Sequence, residues 1–286
     1  MADNQTTLLY VNEAQLSIIE SLQTLINEKH LPIVLIAERV EGKIKPRLVE
    51  LSMIADQAAL LLDHKNKLSL LSHGLSVAPE WDKLQRRIVS AGRKSELILQ
   101  AAKLTADSQV LDATAGFGHD SLILASTGAQ VTMLEQQPLM ALLLLSEQQR
   151  MSVQPNWQKL MSRLHIVNTD ALSYFASLQG SATQPETVIN VVYLDPMFPE
   201  DSHQDSKTGK GAKVGKQMQA LHYLARPPTL GQEIALLNSA REVVAHNQQS
   251  HARVIVKRPQ QAPVLAQQTP DESWHNAAVR FDGYFV

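Results

Sequence analysis

From Ser108 to Pro259, short apolar runs rich in β-branched residues alternate with stretches of helical length, and no other feature of the 286 residues restricts the fold as much. SQVLDAT reads as a strand, and HDSLILASTG as a helix with Gly128 placed just past its end. AQVTMLE is the next strand, followed by the helix PLMALLLLSEQQRM with Pro138 in its first turn. LHIVNTD, ALSYFASL, TVINVVYLDP, LGQEIALLNSAREVVA and ARVIVKRP continue the alternation, and AAVRFDGYFV closes it. Strands separated by helices of this length form βαβ units and a mostly parallel sheet. Such sheets bind ligands outside the carboxyl ends of their strands, where the strand order reverses. The residues that end strands are therefore the first candidates for a site.

Four successive strands end in an acid: Asp112, Glu135, Asp170 and Asp195. Asp112 opens the turn DATAGFGHD, where Gly116 and Gly118 let the backbone turn tightly and approach a ligand. A tight strand-to-helix turn without a ligand uses the same glycines. Glu135 follows them at about the 20-residue distance at which an acid grips ribose hydroxyls. A dinucleotide site calls for G-x-G-x-x-G, but Ser121 occupies the third glycine position. A phosphate-bearing cofactor also sits poorly above a ring of acids. S-adenosylmethionine carries an amino group, a sulfonium and a ribose but no phosphate, so charge favours a methyl donor over a nicotinamide.

The fourth strand runs into VVYLDPMFPED. DPMF resembles the (D/N/S)-PP-(Y/F) signature of methyltransferases that act on exocyclic amines, with Met197 in place of the second proline. The lone pair of such an amine is delocalised into its ring. A carboxylate at Asp195 can accept hydrogen bonds from the NH₂ and localise that lone pair. Pro196 fixes the turn, and Phe198 offers a face for an extruded base. A turn carrying a core phenylalanine and a solvated acid is the competing explanation.

The region before Val77 reads as a small α/β unit. TLLYV and PIVLIAE are strands around the helical NEAQLSIIESLQTLINEKH, and QAALLLDHKNKLSLLS gives two strands joined at His64 to Asn66. PEWDKLQRRIVSAGRKSELILQAAKL is mostly helical, with a break near Gly92. With no cysteine, thiolate metal sites and cysteine nucleophiles are excluded, and the ten histidines show no metal-ligand spacing. The net charge of −2 requires any nucleic-acid surface to be local. Lys207, Lys210, Lys213 and Lys216 recur every three residues just beyond DPMFP, and Lys257 and Arg258 end another strand on the same expected rim. A solvated lysine loop is the ordinary explanation; the position beside a base pocket raises the case for RNA phosphates. Trp81, Trp157 and Trp274 are read as packing residues. The opening MADNQTTLLYVNEAQ lacks a basic-then-apolar run, and LMALLLL is too short to span a membrane, so a cytoplasmic, membrane-free protein is expected.

DATAGFGHDSLILASTGAQVTMLE, VVYLDPMFP and VIVKRP together resemble the ribosomal RNA small subunit methyltransferase J family, most strongly from Arg93 to Pro259. The resemblance implies transfer of methyl from S-adenosylmethionine to the N2 amine of one guanine in 16S rRNA, on the rRNA or the small-subunit particle, with no metal. It implies a Rossmann-like class I methyltransferase sheet (α/β) over residues 79–286, after a small N-terminal α/β domain over 1–78. It also implies cofactor contacts at His119 and Asp120, Glu135 and Gln136, Asp170 and Ala171, and Asp195, beside Asp112, Gly116 and Gly118. Catalysis falls to Asp195, Pro196 and Phe198, and RNA contacts to Arg93, Lys210, Lys213, Lys216, Lys257 and Arg258. The chain departs from the family pattern where His119 and Gln136 replace common arginines and Asp170 stands where small hydroxyl residues are frequent. The DPMF corner alone fits an adenine or cytosine amine equally well, and a non-catalytic cofactor-binding assembly factor is a further alternative.

Overall fold

The structure is a computed structural model and describes residues 5–41, 44–53, 58–92, 94–180, 188–198, 217, 225–245 and 252–286. Its first part contains β1 (Gln5–Tyr10), α1 (Leu16–Glu28), β2 (Val34–Arg39), α2 (Ile44–Met53), β3 (Ala59–Leu62), β4 (Leu68–Ser72) and β5 (Leu75–Val77). These strands form one sheet in the order β2-β1-β3-β4-β5. β1 runs parallel to both β2 and β3, while β3, β4 and β5 form an antiparallel meander. The Asp63 carboxylate fixes the β3–β4 turn by accepting the Lys65 and Lys67 amides at 2.8 and 2.9 Å. Asn66 takes the positive φ that the turn needs, a conformation asparagine tolerates.

A 3-10 turn (Trp81–Leu84), α3 (Gln85–Ser90) and α4 (Leu97–Ala102) lead to the second part. The interruption falls at Gly92, where the Ser95 hydroxyl donates to Ser90 O at 3.0 Å and replaces a helical bond. Beyond it come β6 (Gln109–Asp112), α5 (His119–Ser126), β7 (Gln130–Glu135), α6 (Pro138–Ser152), α7 (Pro155–Met161), β8 (Leu164–Asn168), α8 (Ala171–Gly180) and β9 (Val191–Leu194). After these stand α9 (Leu230–Ala245), β10 (Arg253–Pro259), β11 (Glu272–His275) and β12 (Val279–Phe285). The sheet order is β11-β12-β10-β9-β6-β7-β8. β10, β9, β6, β7 and β8 are parallel, and β12 is antiparallel to both of its neighbours. The order reverses at β6, so the loops leaving β6 and β9 diverge and open a crevice at the carboxyl ends.

β9 (VVYL) is apolar along its length and every residue of it is buried, as expected of a strand covered on both faces. The run LMALLLL has a different use from a membrane span. Met140 to Leu145 are all buried in α6, which packs on β7 and β8 on one side and on β4 and α1 of the first sheet on the other. A helix that is apolar all round must be enclosed. One hydrophobic cluster consequently runs from Leu8, Leu60 and Leu70 through Leu142 to Leu122 and Val131. Glu147 is buried on the same helix and pairs with Arg150 at 2.7 Å.

Among the described strands and α-helices, four lie outside the sequence reading, one of them β5 (LSV), a three-residue strand held by pairing with β4. α2 has only a weak apolar stripe, and α7 is a seven-residue helix opened by Pro155. β11 (ESWH) is polar and mostly exposed, so it carries no strand pattern and is held by pairing with β12.

Candidate active site

The glycine turn after β6 is stitched to both neighbouring strands. The Ala113 amide donates to Tyr193 O at 3.0 Å, and the Ala115 amide to Leu134 O at 3.1 Å. Gly116 and Gly118 both lie at positive φ, 52° and 72°. The positive φ calls for glycine at Gly118, and a Cβ there would also displace Met133 Cε, 2.6 Å away, and press on the Trp81 ring at 3.1 Å. Trp81 is fully buried, as a packing residue should be, and its indole N–H donates to Phe117 O at 2.8 Å, holding the turn from below. His119, the first residue of α5, donates from Nε2 to Pro79 O at 2.6 Å, and its burial lowers its pKa, keeping the ring neutral.

The strand-end acids occupy different environments. Asp112 is buried; it accepts the Ser121 hydroxyl and, at 3.2 Å, the Thr114 amide. Desolvation outweighs those bonds and raises its pKa to about 7. Glu135 is also buried, accepting Gly116 N at 3.1 Å on one oxygen and Gln137 N at 2.8 Å on the other. Its pKa too is pushed up to about 7 by burial, which the backbone donors only partly offset. Asp170 is exposed and accepts the Ser173 amide at 2.9 Å, capping the start of α8; the Ser173 hydroxyl first, and then that amide, hold its pKa below the usual range.

A cavity of about 880 Å³ lies over these strand ends. Asp112, Gly116, His119, Asp120, Glu135, Gln136, Asp170, Ala171, Asp195, Pro196 and Phe198 all line it. Gly118 lies beneath the turn instead. Pro227, Pro228 and Thr229 close another side, a contribution with no local signal beyond the paired prolines. Phe198 differs from the exposed platform expected of it, being 7% exposed.

Lys257 and Arg258 depart from the expected basic rim. Lys257 turns into the cavity, where its ammonium meets Asp120 Oδ2 at 2.7 Å and Asp195 Oδ2 at 2.9 Å. Burial lowers its pKa, but the two acids overcome that and hold it well above the ordinary lysine value. Asp120 also accepts the Tyr193 hydroxyl at 2.8 Å. Burial raises its pKa and the Lys257 charge more than reverses that, whereas burial dominates at Asp195 and leaves its pKa raised. Arg258 points to the opposite face, is 4% exposed and pairs with Glu233 of α9 at 2.7 Å. Alternation along β10 is the physical reason: adjacent side chains take opposite faces, and α9 covers the second one. Arg93, Lys207, Lys210, Lys213 and Lys216 lie outside the described residues. Thr114, absent from the sequence reading, accepts the Asp195 amide on its hydroxyl at 2.6 Å and ties the glycine turn to the DPMF corner.

A family model for SAM-dependent methyltransferases matches residues 44–286. Ribosomal RNA small subunit methyltransferase J of Psychrobacter cryohalolentis is 71% identical over 287 aligned residues, covering 100% of this chain and 97% of the relative. This chain belongs to that methyltransferase J family. The Acinetobacter baylyi methyltransferase J is 35% identical, covering 82% of this chain and 87% of its own. Among solved structures, a SAM-dependent methyltransferase from Neisseria gonorrhoeae is 28% identical with a TM-score of 0.65, covering 98% of this chain and 96% of its own. The fold is that of class I SAM-dependent methyltransferases.

The donor set of this methyltransferase J chain fits S-adenosylmethionine. Each Glu135 oxygen accepts one backbone N–H and retains a lone pair for a ribose hydroxyl. The neighbouring acids suit a ligand with an ammonium and a sulfonium. No group of three or more potential metal ligands occurs among the described residues, and no described helix is long and apolar enough to cross a membrane.

Proposed function

We propose that this protein methylates the exocyclic N2 amine of a guanine in 16S rRNA, using S-adenosylmethionine as methyl donor. The observation that carries the reading is the Asp195–Phe198 corner, held at the strand-order reversal by Thr114 and facing the cavity that Glu135 and the glycine turn line. S-adenosylmethionine supplies an electrophilic methyl group on a sulfonium. The protein positions the amine and makes its lone pair available. Asp195 Oδ1 has no hydrogen-bond partner among the described residues, so it is placed to accept an amine N–H while Lys257 holds Oδ2. Pro196 restricts the backbone beside it. The amine proton released on methylation then faces a carboxylate. The reading calls for no metal, because positioning and lone-pair localisation supply the catalysis.

Phe198 is assigned to holding the flipped guanine by stacking from the cavity wall. Phe198→Ala should weaken productive binding about five- to 150-fold, the equivalent of roughly 1–3 kcal/mol for one base on one aromatic face. Phe198→Tyr should keep most activity. Single-turnover methylation of undermodified small-subunit particles measures both, with melting temperatures to detect loss of packing. Equal rates for folded Phe198→Ala and wild type would remove the stacking role.

The RNA partner is 16S rRNA or the small-subunit particle, with Lys210, Lys213 and Lys216 proposed to contact phosphates. Their position just after the acceptor corner and their repeated spacing support this. Replacing all three with Ala should reduce the slope of log affinity against log salt by about two, at roughly 0.7 per single-strand phosphate contact, and spare cofactor affinity. An unchanged slope would return the segment to a solvated loop. The same reading divides the chain into a small unit over 1–78 and a catalytic unit over 79–286, supported by the two separate sheets.

A further inference from the structure

Lys257 stands between two elements with different tasks. Asp120 belongs to the first turn of α5, next to the glycine turn, and Asp195 opens the acceptor corner after β9. One ammonium contacts a single oxygen of each, at 2.7 and 2.9 Å, so the two carboxylates can lie no farther apart than the two legs of that bridge. The side chain is 30% exposed, and the acids beside it are 14% and 24% exposed, so water screens the trio only in part. Two carboxylates held this close without a cation oppose each other's ionisation, and the pKa of one of them is strongly raised.

We infer that Lys257 is a positioning residue for methyl transfer, fixing Oδ2 of Asp195 and keeping that carboxylate ionised so that Oδ1 is left to accept the guanine amine. The inference rests on the proposed role of Asp195 and assigns Lys257 a task in catalysis rather than on the RNA-binding rim. Geometry supports it from three sides. β10 pairs with β9 in the register Val256↔Leu194, so Lys257, still within β10, lies beside Asp195, the first residue past the end of β9. The Asp195 amide is held independently by Thr114, so Lys257 acts on the carboxylate and not on the backbone of the turn. Asp120 is itself held by the Tyr193 hydroxyl, which gives the ammonium a fixed anchor on the cofactor side.

Among the described residues, the charged or titratable groups that act on or beside Asp195 are Lys257 of β10, Asp120 of α5, Asp112 of β6 and Tyr193 of β9, with Arg258 acting at longer range through the sheet. Lys257 is, among the described residues, the cation in direct contact with it; Arg258 acts from the opposite face, where it pairs with Glu233. Asp120 opposes ionisation of Asp195, so removal of Lys257 leaves burial and a like charge acting together.

The test compares wild type, Lys257→Met and Lys257→Arg in single-turnover methylation of undermodified particles across pH, at saturating cofactor, with melting temperature and S-adenosylhomocysteine affinity measured alongside. In Lys257→Met the acid limb should move to higher pH by about one to three units, the span associated with one close opposite charge. Its rate at neutral pH should fall about ten- to 1,000-fold and recover in part as pH rises. Lys257→Arg keeps the cation, so its acid limb should stay at the wild-type position even where the rate is lower. A folded Lys257→Met enzyme whose limb coincides with wild type would overturn the inference. A limb displaced in Lys257→Arg would do the same, and it remains decisive if the Met variant fails to fold. A wild type without methylation would instead overturn the proposed function, which separates the two failures.

Discussion

Asp195→Asn lowers single-turnover methylation by about 10²–10⁴-fold, the loss expected when a positioned acid–base group is removed. The substitution preserves size and one acceptor oxygen, and the Asp195 backbone amide keeps its bond to Thr114, so the corner holds its shape. What disappears is the negative charge that polarises the amine N–H bonds. Lys257 retains Asp120 as a partner, so no cation is stranded in the cavity. The melting temperature should therefore change little, and the deficit should appear in the rate at saturating cofactor and RNA. A near-normal rate would mean that DPMF is only a turn and that the methyl acceptor lies elsewhere.

The second large effect concerns the cofactor. Glu135→Ala should reduce S-adenosylhomocysteine affinity by about 100-fold or more, since two ribose hydroxyls lose charge-assisted bonds worth roughly 1.5–3 kcal/mol each. The change also deprives the Gly116 and Gln137 amides of their acceptor, loosening the turn that shapes the cavity. The free site adds a pH signature. Burial raises the Glu135 pKa to about 7, and the ionised form is the one that accepts two hydroxyls. Affinity should therefore be weak below that pH and strengthen as pH rises through it, and Glu135→Gln should abolish this dependence. Calorimetry across pH measures both. Equal binding of NADH by wild type, or an undiminished affinity in Glu135→Ala, would contradict the assignment of the cavity.

The sequence exposes this site to the extent that local rules specify it. Alternating strand and helix patterns place Asp112, Glu135 and Asp195 at the carboxyl ends of β6, β7 and β9, where the structure has them. Gly116 and Gly118 are legible because a positive φ leaves a mark in the composition of a turn. Asp170 reads as the end of its strand, but β8 stops at Asn168 and Asp170 instead caps α8, accepting the Ser173 amide. Other features depend on which strands become neighbours. Lys257 meets Asp195 because β10 lies beside β9, and the chain between them gives no indication of that. Period-two alternation along VIVKRP does separate Lys257 from Arg258, a signal sufficient to keep both off one rim. The Thr114 contact joins two loops from different strands and is visible only in three dimensions. α6 shows the opposite case: its all-apolar run is evident in the sequence, yet what encloses it is a second sheet from the start of the chain.

The most direct measurement is transfer of labelled methyl from S-adenosylmethionine to small-subunit particles, and to their rRNA, from cells lacking this activity, followed by nucleoside analysis and mapping of the labelled position. The account predicts label at a single site, recovered as N2-methylguanosine, with Asp195→Asn strongly reduced under the same conditions. Label recovered in adenosine or cytidine, or no incorporation by a folded wild-type enzyme that binds the cofactor, would contradict it.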